Sequence, residues 1–319
     1  MAEVVLGIGT SHSPQLSVPW QDWQLMREKD ETDPRLDYAA LVAKAPAGLD
    51  AQLTHDVWQQ RYDACQQGIK AVGKILKTTP LDAIVIFGDD QHEQFGDENM
   101  PAVAIYHGET CSVVHKDRGP NHPKWMDAEA AQWENKFPEY PAHPNLARHL
   151  ISSLTEQEFE VTRCSELRPD IGIGHAFSFP YRRVWPECNV PIVPVMVNTY
   201  YPPNQPTPRR CYALGQAVRQ AVECWEGGQR VAIMGSGGLS HVIIDEDLDK
   251  FTLDGILSQD PDKLAAIPRD KLRGGTSEIL NWVALCGATQ HLKPTLIDYV
   301  PTYRSPAATG CGMTFAYWN

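Results

Sequence analysis

The stretch Ala83-Ile84-Val85-Ile86-Phe87-Gly88-Asp89-Asp90-Gln91-His92 sets a short apolar, β-branched run directly against a polar end marked by glycine. A run of this kind, too short for a helix and bounded by turn residues, reads as a buried strand. The same pattern recurs twice. Val4-Val5-Leu6 leads into Gly9-Thr10-Ser11-His12, and Val231-Ala232-Ile233-Met234 leads into Gly235-Ser236-Gly237-Gly238-Leu239-Ser240-His241. Between the first two strands, Trp58, Tyr62, Cys65, Ile69, Val72 and Leu76 recur at alternating spacings of four and three, which makes an amphipathic helix.

The rest of the chain continues the alternation. Strand-like runs are expected at 101–106, 159–162, 191–197, 295–300 and 312–318. A helix capped by Asn145 should reach about 156, another should run from Pro208 to Trp225, and others are expected near 245–257 and 276–287. Strands alternating with helices predict βαβ units and a three-layer α/β/α fold around a mainly parallel or mixed central sheet. No repeat or linker divides the chain, so one domain over 1–319 is expected, with excursions near 17–50 and 107–143. The first of these is expected to cover one edge of a site.

Composition narrows the function classes. The 319 residues carry a net charge of −12, which argues against nucleic acid as the main partner because phosphate binding needs clustered Lys and Arg. A small anionic substrate stays open, since one or two local arginines can hold a carboxylate; Arg182, Arg183, Arg209 and Arg210 are the candidates, with surface ion pairs as their other reading. The eight cysteines are scattered without a Cys-x-x-Cys pair, which suggests reduced thiols in a cytoplasmic protein. The N-terminus has no basic segment followed by a long apolar core, so neither a signal peptide nor a membrane partner is expected.

Residues just past the ends of parallel strands line the ligand crevice of such sheets. His12, the histidine of the 88–92 turn, His241 and Glu278 in Gly275-Thr276-Ser277-Glu278 are therefore candidate site residues. Two histidines and one carboxylate in a crevice suit a mononuclear non-haem Fe(II) site. Gly7-Ile8-Gly9 starts like a dinucleotide fingerprint, but His12 stands where a small residue is needed, which disfavours a nucleotide cofactor. Taken alone, Glu278 reads equally as a helix-end dipole partner. His241 and His175, in Gly174-His175, could be ligands, acid/base groups near neutral pH or structural histidines.

Taken together, these stretches resemble the class III extradiol ring-cleavage dioxygenases, the superfamily of the protocatechuate 4,5-dioxygenase β-subunit. The resemblance runs through Gly9-Thr10-Ser11-His12-Ser13-Pro14, the strand end at 88–91 and His143-Pro144-Asn145-Leu146-Ala147-Arg148-His149. It continues in Gly174-His175, Tyr201-Pro202-Pro203, Arg210-Cys211-Tyr212-Ala213-Leu214-Gly215, Gly237-Gly238-Leu239-Ser240-His241 and Ser277-Glu278 with Trp282.

The resemblance implies an Fe(II) enzyme, with Mn(II) or another divalent metal as the alternative cofactor, opening the ring of a catecholic or gallate-like substrate with O2. It implies His12 and Glu278 as metal ligands, and His241 and His175 as catalytic histidines. The third ligand is expected to be His92, with Gln91 or a recruited His55 as alternatives, because the family's histidine directly follows an aspartate and Gln91 holds that position here. Tyr201 and Arg210 are weaker substrate-binding candidates, and Tyr200 is a further pocket residue. A homo-oligomer is expected, and either a separate small subunit, the 107–143 excursion or a second protomer could cover the site. Two other readings of the same scaffold are a non-oxidative, hydrolase-like metal enzyme and a non-catalytic relative.

Overall fold

The structure, a computed structural model, describes residues 1–114, 122–126 and 138–319. In chain order the elements are β1 (Glu3–Thr10), α1 (Trp23–Thr32), α2 (Tyr38–Lys44), α3 (His55–Thr78), β2 (Ala83–Asp89), β3 (Val103–Tyr106), β4 (Thr110–Ser112) and β5 (Glu139–Pro141). They continue with α4 (Pro144–Glu156), β6 (Thr162–Cys164), α5 (His175–Phe179), β7 (Ile192–Val197), α6 (Pro208–Glu223), β8 (Arg230–Ser236), α7 (Glu246–Leu257), α8 (Pro261–Ala265), α9 (Ile279–Ala288), β9 (Pro294–Pro301) and β10 (Gly312–Trp318).

Eight strands form one sheet in the order β6-β3-β7-β2-β8-β1-β10-β9. Its centre, β7-β2-β8-β1, is parallel, while β3 meets β7 and β10 meets β1 antiparallel. The centre reads as continuous apolar sequence because both faces are covered. Val85, Phe87, Val193, Val195, Val231 and Ile233 pack into one core with α4, α6 and α9. Ile84, Ile86, Ile192, Met196, Ala232 and Met234 pack into the other with α3 and α5. Alternate residues along each strand thus serve opposite layers, which is the expected three-layer α/β architecture.

Register levels the carboxyl ends of the parallel strands. Thr10 pairs with Ser236, Phe87 with Gly235, and Asp89 with Val197. One tight packing contact holds this end together. The Trp282 indole of α9 donates from Nε1 to the Gly237 carbonyl at 2.8 Å and lies against Gly9, where any Cβ would strike its ring.

Several local expectations change. The cap of α4 is His143, whose Nδ1 accepts from the Leu146 amide, and Pro144 takes the first helical position instead of Asn145. The α-helix starts at Ile279 and not at 276, so Glu278 sits at its N-cap, at the junction with the 3-10 turn Gly274–Glu278. The 17–50 excursion contains α1 and α2. Of the 107–143 excursion, β4 and β5 form a separate ribbon, while residues 115–121 and 127–137 lie outside the described residues. No helix among the described residues is long and apolar enough to cross a membrane.

Replacing Trp282 with alanine removes a fully buried indole that touches two strand ends. The expected loss is about 3–5 kcal/mol in urea unfolding, with the β-sheet signal in circular dichroism retained.

Candidate metal and active centre

Each central parallel strand delivers polar groups to one crevice. His12 follows β1, Asp89 ends β2 with Gln91 just beyond it, Tyr200 follows β7, and Ser236 and Gly238 come from the end of β8. Glu278, at the start of α9, lies at their meeting point. Its Oε2 accepts from the Gly238 amide at 2.9 Å, and its Oε1 accepts from the Tyr200 hydroxyl at 3.1 Å and from Gln91 Nε2 at 3.3 Å. His241 Nε2 is 3.1 Å from Oε1, and His12 Nε2 is 3.4 Å from Oε2.

The three histidines are oriented alike. Ser236 Oγ donates to the Ala176 carbonyl at 2.6 Å, so it accepts from His12 Nδ1 at 2.9 Å. Glu93 Oε1 accepts from both the His175 backbone amide at 3.0 Å and its Nδ1 at 2.8 Å. The Leu239 carbonyl accepts from His241 Nδ1 at 2.9 Å. With each Nδ1 committed outward, each Nε2 points inward, the orientation that second-sphere partners impose on metal-binding histidines.

Burial and charge oppose each other here. Asp89, fully buried, is pushed up to about 6 by desolvation and then by the Glu278 charge. Desolvation would also raise Glu278, but His241 and His12 hold it well below the usual carboxylate range. Burial works against protonation of His175, yet Glu93, helped by Asp89 and Glu278, lifts it to about 9. His241 is likewise lifted well above its ordinary value against burial, by Glu278 and Cys311. Carboxylates confined this closely, with little water, demand positive charge among them.

A divalent cation fits that demand. His12 Nε2 is buried and makes no hydrogen bond, although it faces Glu278 and lies 4.0 Å from Asp89 Oδ1. Ligand atoms of His12, Asp89 and His175 all lie within 4.8 Å of one another. Imidazole and carboxylate in this mixture suit a first-row transition metal.

His92 is not part of this group. Asp90 folds the segment after β2 into a tight turn, its Oδ1 accepting from the Glu93 and Gln94 amides and its Oδ2 from that of Phe95, all at 2.9 Å. His92 stands at the crest with φ 59°, stacks on the Tyr201 ring at 3.8 Å and has Nε2 3.0 Å from Asp97 Oδ1. Odd positions 89, 91 and 93 face the crevice, so Gln91 stands where His92 was expected. Gln91 Nε2 donates to Asp89 Oδ2 at 3.0 Å and lies 3.5 Å from His175 Nε2.

The other alternative, His55, packs on Trp20 and Trp58 at the start of α3. Tyr201 is held by His92 and reaches the crevice only through Tyr200, whose ring centroid is 5.8 Å away. Arg210 lies over the Phe159 ring and donates to the Glu158 carbonyl, away from the crevice, because its place on α6 faces the segment leading into the edge strand β6. Arg182 and Arg183 are tied to Ser17, Leu16 and Gln66, and Arg209 lies near Asp262.

Above the polar cluster opens a cavity of about 390 Å³, large enough for a single aromatic ring with substituents. Its outer wall comes from the 17–50 excursion, through Met26, Lys29 and Arg35, together with Trp125 and Arg304. Lys29 Nζ lies 5.2 Å from the Trp125 ring centroid, while Arg304 is paired with Asp30 through both Nε and Nη2. These cations, Asp89 and Glu93 were not among the sequence candidates. The strand alternation 89-91-93 was the available signal for the two acids; the cations had none.

His241 is set by packing behind it. Asp249, buried, accepts from the Ser240 amide and hydroxyl and from the Tyr299 hydroxyl, each at 2.7 Å. In front, Gly275 leaves room for the imidazole, since a Cβ there would overlap the ring.

Comparison with known proteins agrees with this architecture. Residues 48–313 match the family described as the catalytic LigB subunit of aromatic ring-opening dioxygenase, and the chain belongs to that family. It is 32% identical over 187 residues to a gallate dioxygenase of Pseudomonas putida, covering 54% of this chain and 53% of that protein. It is 28% identical over 177 residues to a 2,3-dihydroxyphenylpropionate/2,3-dihydroxicinnamic acid 1,2-dioxygenase of Photorhabdus laumondii, covering 55% of this chain and 48% of the relative. The similarly named protein of Comamonas testosteroni is 24% identical over 208 residues, 65% of this chain and 54% of that one. The chain thus spans about half the length of the curated relatives it matches.

Asp249→Asn leaves one acceptor oxygen replaced by a donor facing Ser240 or Tyr299. The expected cost is about 1–3 kcal/mol in urea unfolding. Asp90→Ala, which strips three amides of their acceptor, is expected to cost a similar amount and to increase hydrogen exchange across residues 91–95.

Proposed function

We propose that the protein is a metal-dependent extradiol dioxygenase that opens the ring of a catechol carrying an anionic substituent. The observation that carries this reading is the buried, unbonded His12 Nε2 facing Glu278, with every neighbouring imidazole turned Nε2-inward around it. His12 and Glu278 would hold the metal, with Asp89 in the same ligand cluster. Fe(II), or Mn(II) in its place, would supply charge stabilisation and orient the diol and O2.

The chain's own residues then have distinct tasks. His241 works at Nε2, since Leu239 occupies its other nitrogen; with the Glu278 charge taken up by a metal, that nitrogen would be released to accept a phenolic proton and return it later. Tyr200 and the Gly238 amide hold the Glu278 carboxylate in place. Met26 and Trp125 wall the cavity on its outer side.

The names of the curated relatives, gallate and dihydroxyphenylpropionate dioxygenases, support an aromatic acid as substrate. Lys29 and Arg35, the latter also paired with Asp33, are the cavity-wall cations suited to its carboxylate. Because the chain supplies this wall itself, the enzyme acts without a separate covering subunit. One sheet shared by both cores supports reading the chain as a single catalytic domain. Eight unpaired cysteines are consistent with a cytoplasmic setting.

The test is anaerobic loading with Fe(II), followed by oxygen uptake and appearance of a yellow ring-opened product with gallate, protocatechuate and dihydroxyphenylpropionate. Stoichiometric iron without oxygen uptake on any diol would overturn the proposal. His241→Ala should keep its iron and lose about 10²–10⁴-fold in kcat. The Lys29→Met, Arg35→Met double variant should raise KM for an acidic catechol about tenfold or more and leave KM for unsubstituted catechol nearly unchanged.

A further inference from the structure

We propose that His175 is a metal ligand, so that the centre in this chain is built from His12, His175 and Glu278 with Asp89 beside them. The inference rests on the metal-dependent reading above and reassigns a histidine that the sequence suggested as catalytic. It starts from position 91. A glutamine there offers an amide in place of an imidazole, and a carboxamide is a poorer partner than imidazole for iron. If the site is to present two imidazoles beside its carboxylates, the second must come from another element.

His175 meets the geometric requirements. Its ring stands edge-on to that of His12 with centroids 4.7 Å apart, and it offers a ligand atom to the cluster with His12 and Asp89. Ligands of one metal at about 2.1 Å lie roughly 3–4 Å apart, so modest side-chain rotation closes the set. His241 stands differently. It approaches Glu278 at Oε1 while His12 approaches at Oε2, which places the two histidines at different oxygens of the carboxylate.

The support behind His175 is that of a ligand. Glu93 Oε1 grips both its backbone amide and Nδ1, and Gly174 leaves the space that this carboxylate fills. A carboxylate behind a histidine fixes the ring, places the neutral form's proton on Nδ1 and increases its basicity. The Gln91 Nε2 group reinforces the assignment. It lies within 3.5 Å of His175 Nε2, Asp89 Oδ2 and Glu278 Oε1 together, marking the point on which these acceptors converge. With His175 in the ligand role, Gln91 serves as a hydrogen-bond donor to the Asp89 and Glu278 carboxylates.

The experiment reads binding, independent of turnover. The metal-free protein is titrated with Co(II) under anaerobic conditions, by calorimetry and by visible absorption, alongside His175→Ala, Glu93→Ala, His12→Ala and His92→Ala, each checked for folding by circular dichroism. His175→Ala is expected to lose at least 100-fold in Co(II) affinity and to change the absorption bands through loss of a nitrogen ligand. Glu93→Ala, which keeps the imidazole, should lose about 10–100-fold, and His92→Ala should match the parent.

Parent-like affinity and spectrum in folded His175→Ala would overturn the ligand assignment. Should that variant fail to fold, parent-like binding by Glu93→Ala would do so instead. Parent-like binding by His12→Ala would show that the metal centre itself is misplaced, a failure distinct from that of His175.

Discussion

The Glu278 carboxylate is the constraint around which the crevice is arranged. It is buried, it is held far toward its charged form, and its two oxygens are contacted from the ends of all four parallel strands: His12 from β1, Gln91 from β2, Tyr200 from β7 and Gly238 from β8, with His241 beyond. A charge in so dry a place is tolerated only when every lone pair has a partner. The level register of the strands, the 3-10 turn ahead of α9 and the packing of Trp282 on Gly9 all act to hold those partners at one height.

This explains why the site is reinforced from behind. Each histidine that faces the crevice is fixed through its outer nitrogen, by Ser236, Glu93 or Leu239, and these acceptors sit on different elements. The inward nitrogens are therefore oriented before any ligand arrives. Preorganised donors and acceptors are what allow a metal or a developing charge to be stabilised without reorganisation.

The alternating pattern of sequence was enough to locate the strands, α3 and the three-layer order, because apolar residues at periods of two and 3.6 leave few ways to bury them. His12, His241 and Glu278 could also be placed near one crevice, since strand-end residues of a parallel sheet converge. The 88–93 turn was harder. Counting along the strand puts 89, 91 and 93 on one face, but that argument needs the extended geometry to persist past Asp89. The Asp90 turn preserves the alternation at 91 and 93 while lifting His92 to the outside. Arg210 failed for a different reason: charge alone does not say which edge of the sheet a helix N-terminus faces.

By itself, the sequence determined the layer architecture, the crevice and the kinds of groups that occupy it, since hydrophobic periodicity and strand-end chemistry are local properties. Only the tertiary structure decided which nitrogen of each histidine faces the crevice, that Gln91 and Glu93 face inward, and that the 23–35 segment brings Lys29 and Arg35 over the cavity. Those outcomes depend on contacts between residues far apart in the chain, such as Glu93 with His175 and His12 with Ser236. Composition and spacing carry no record of such pairings.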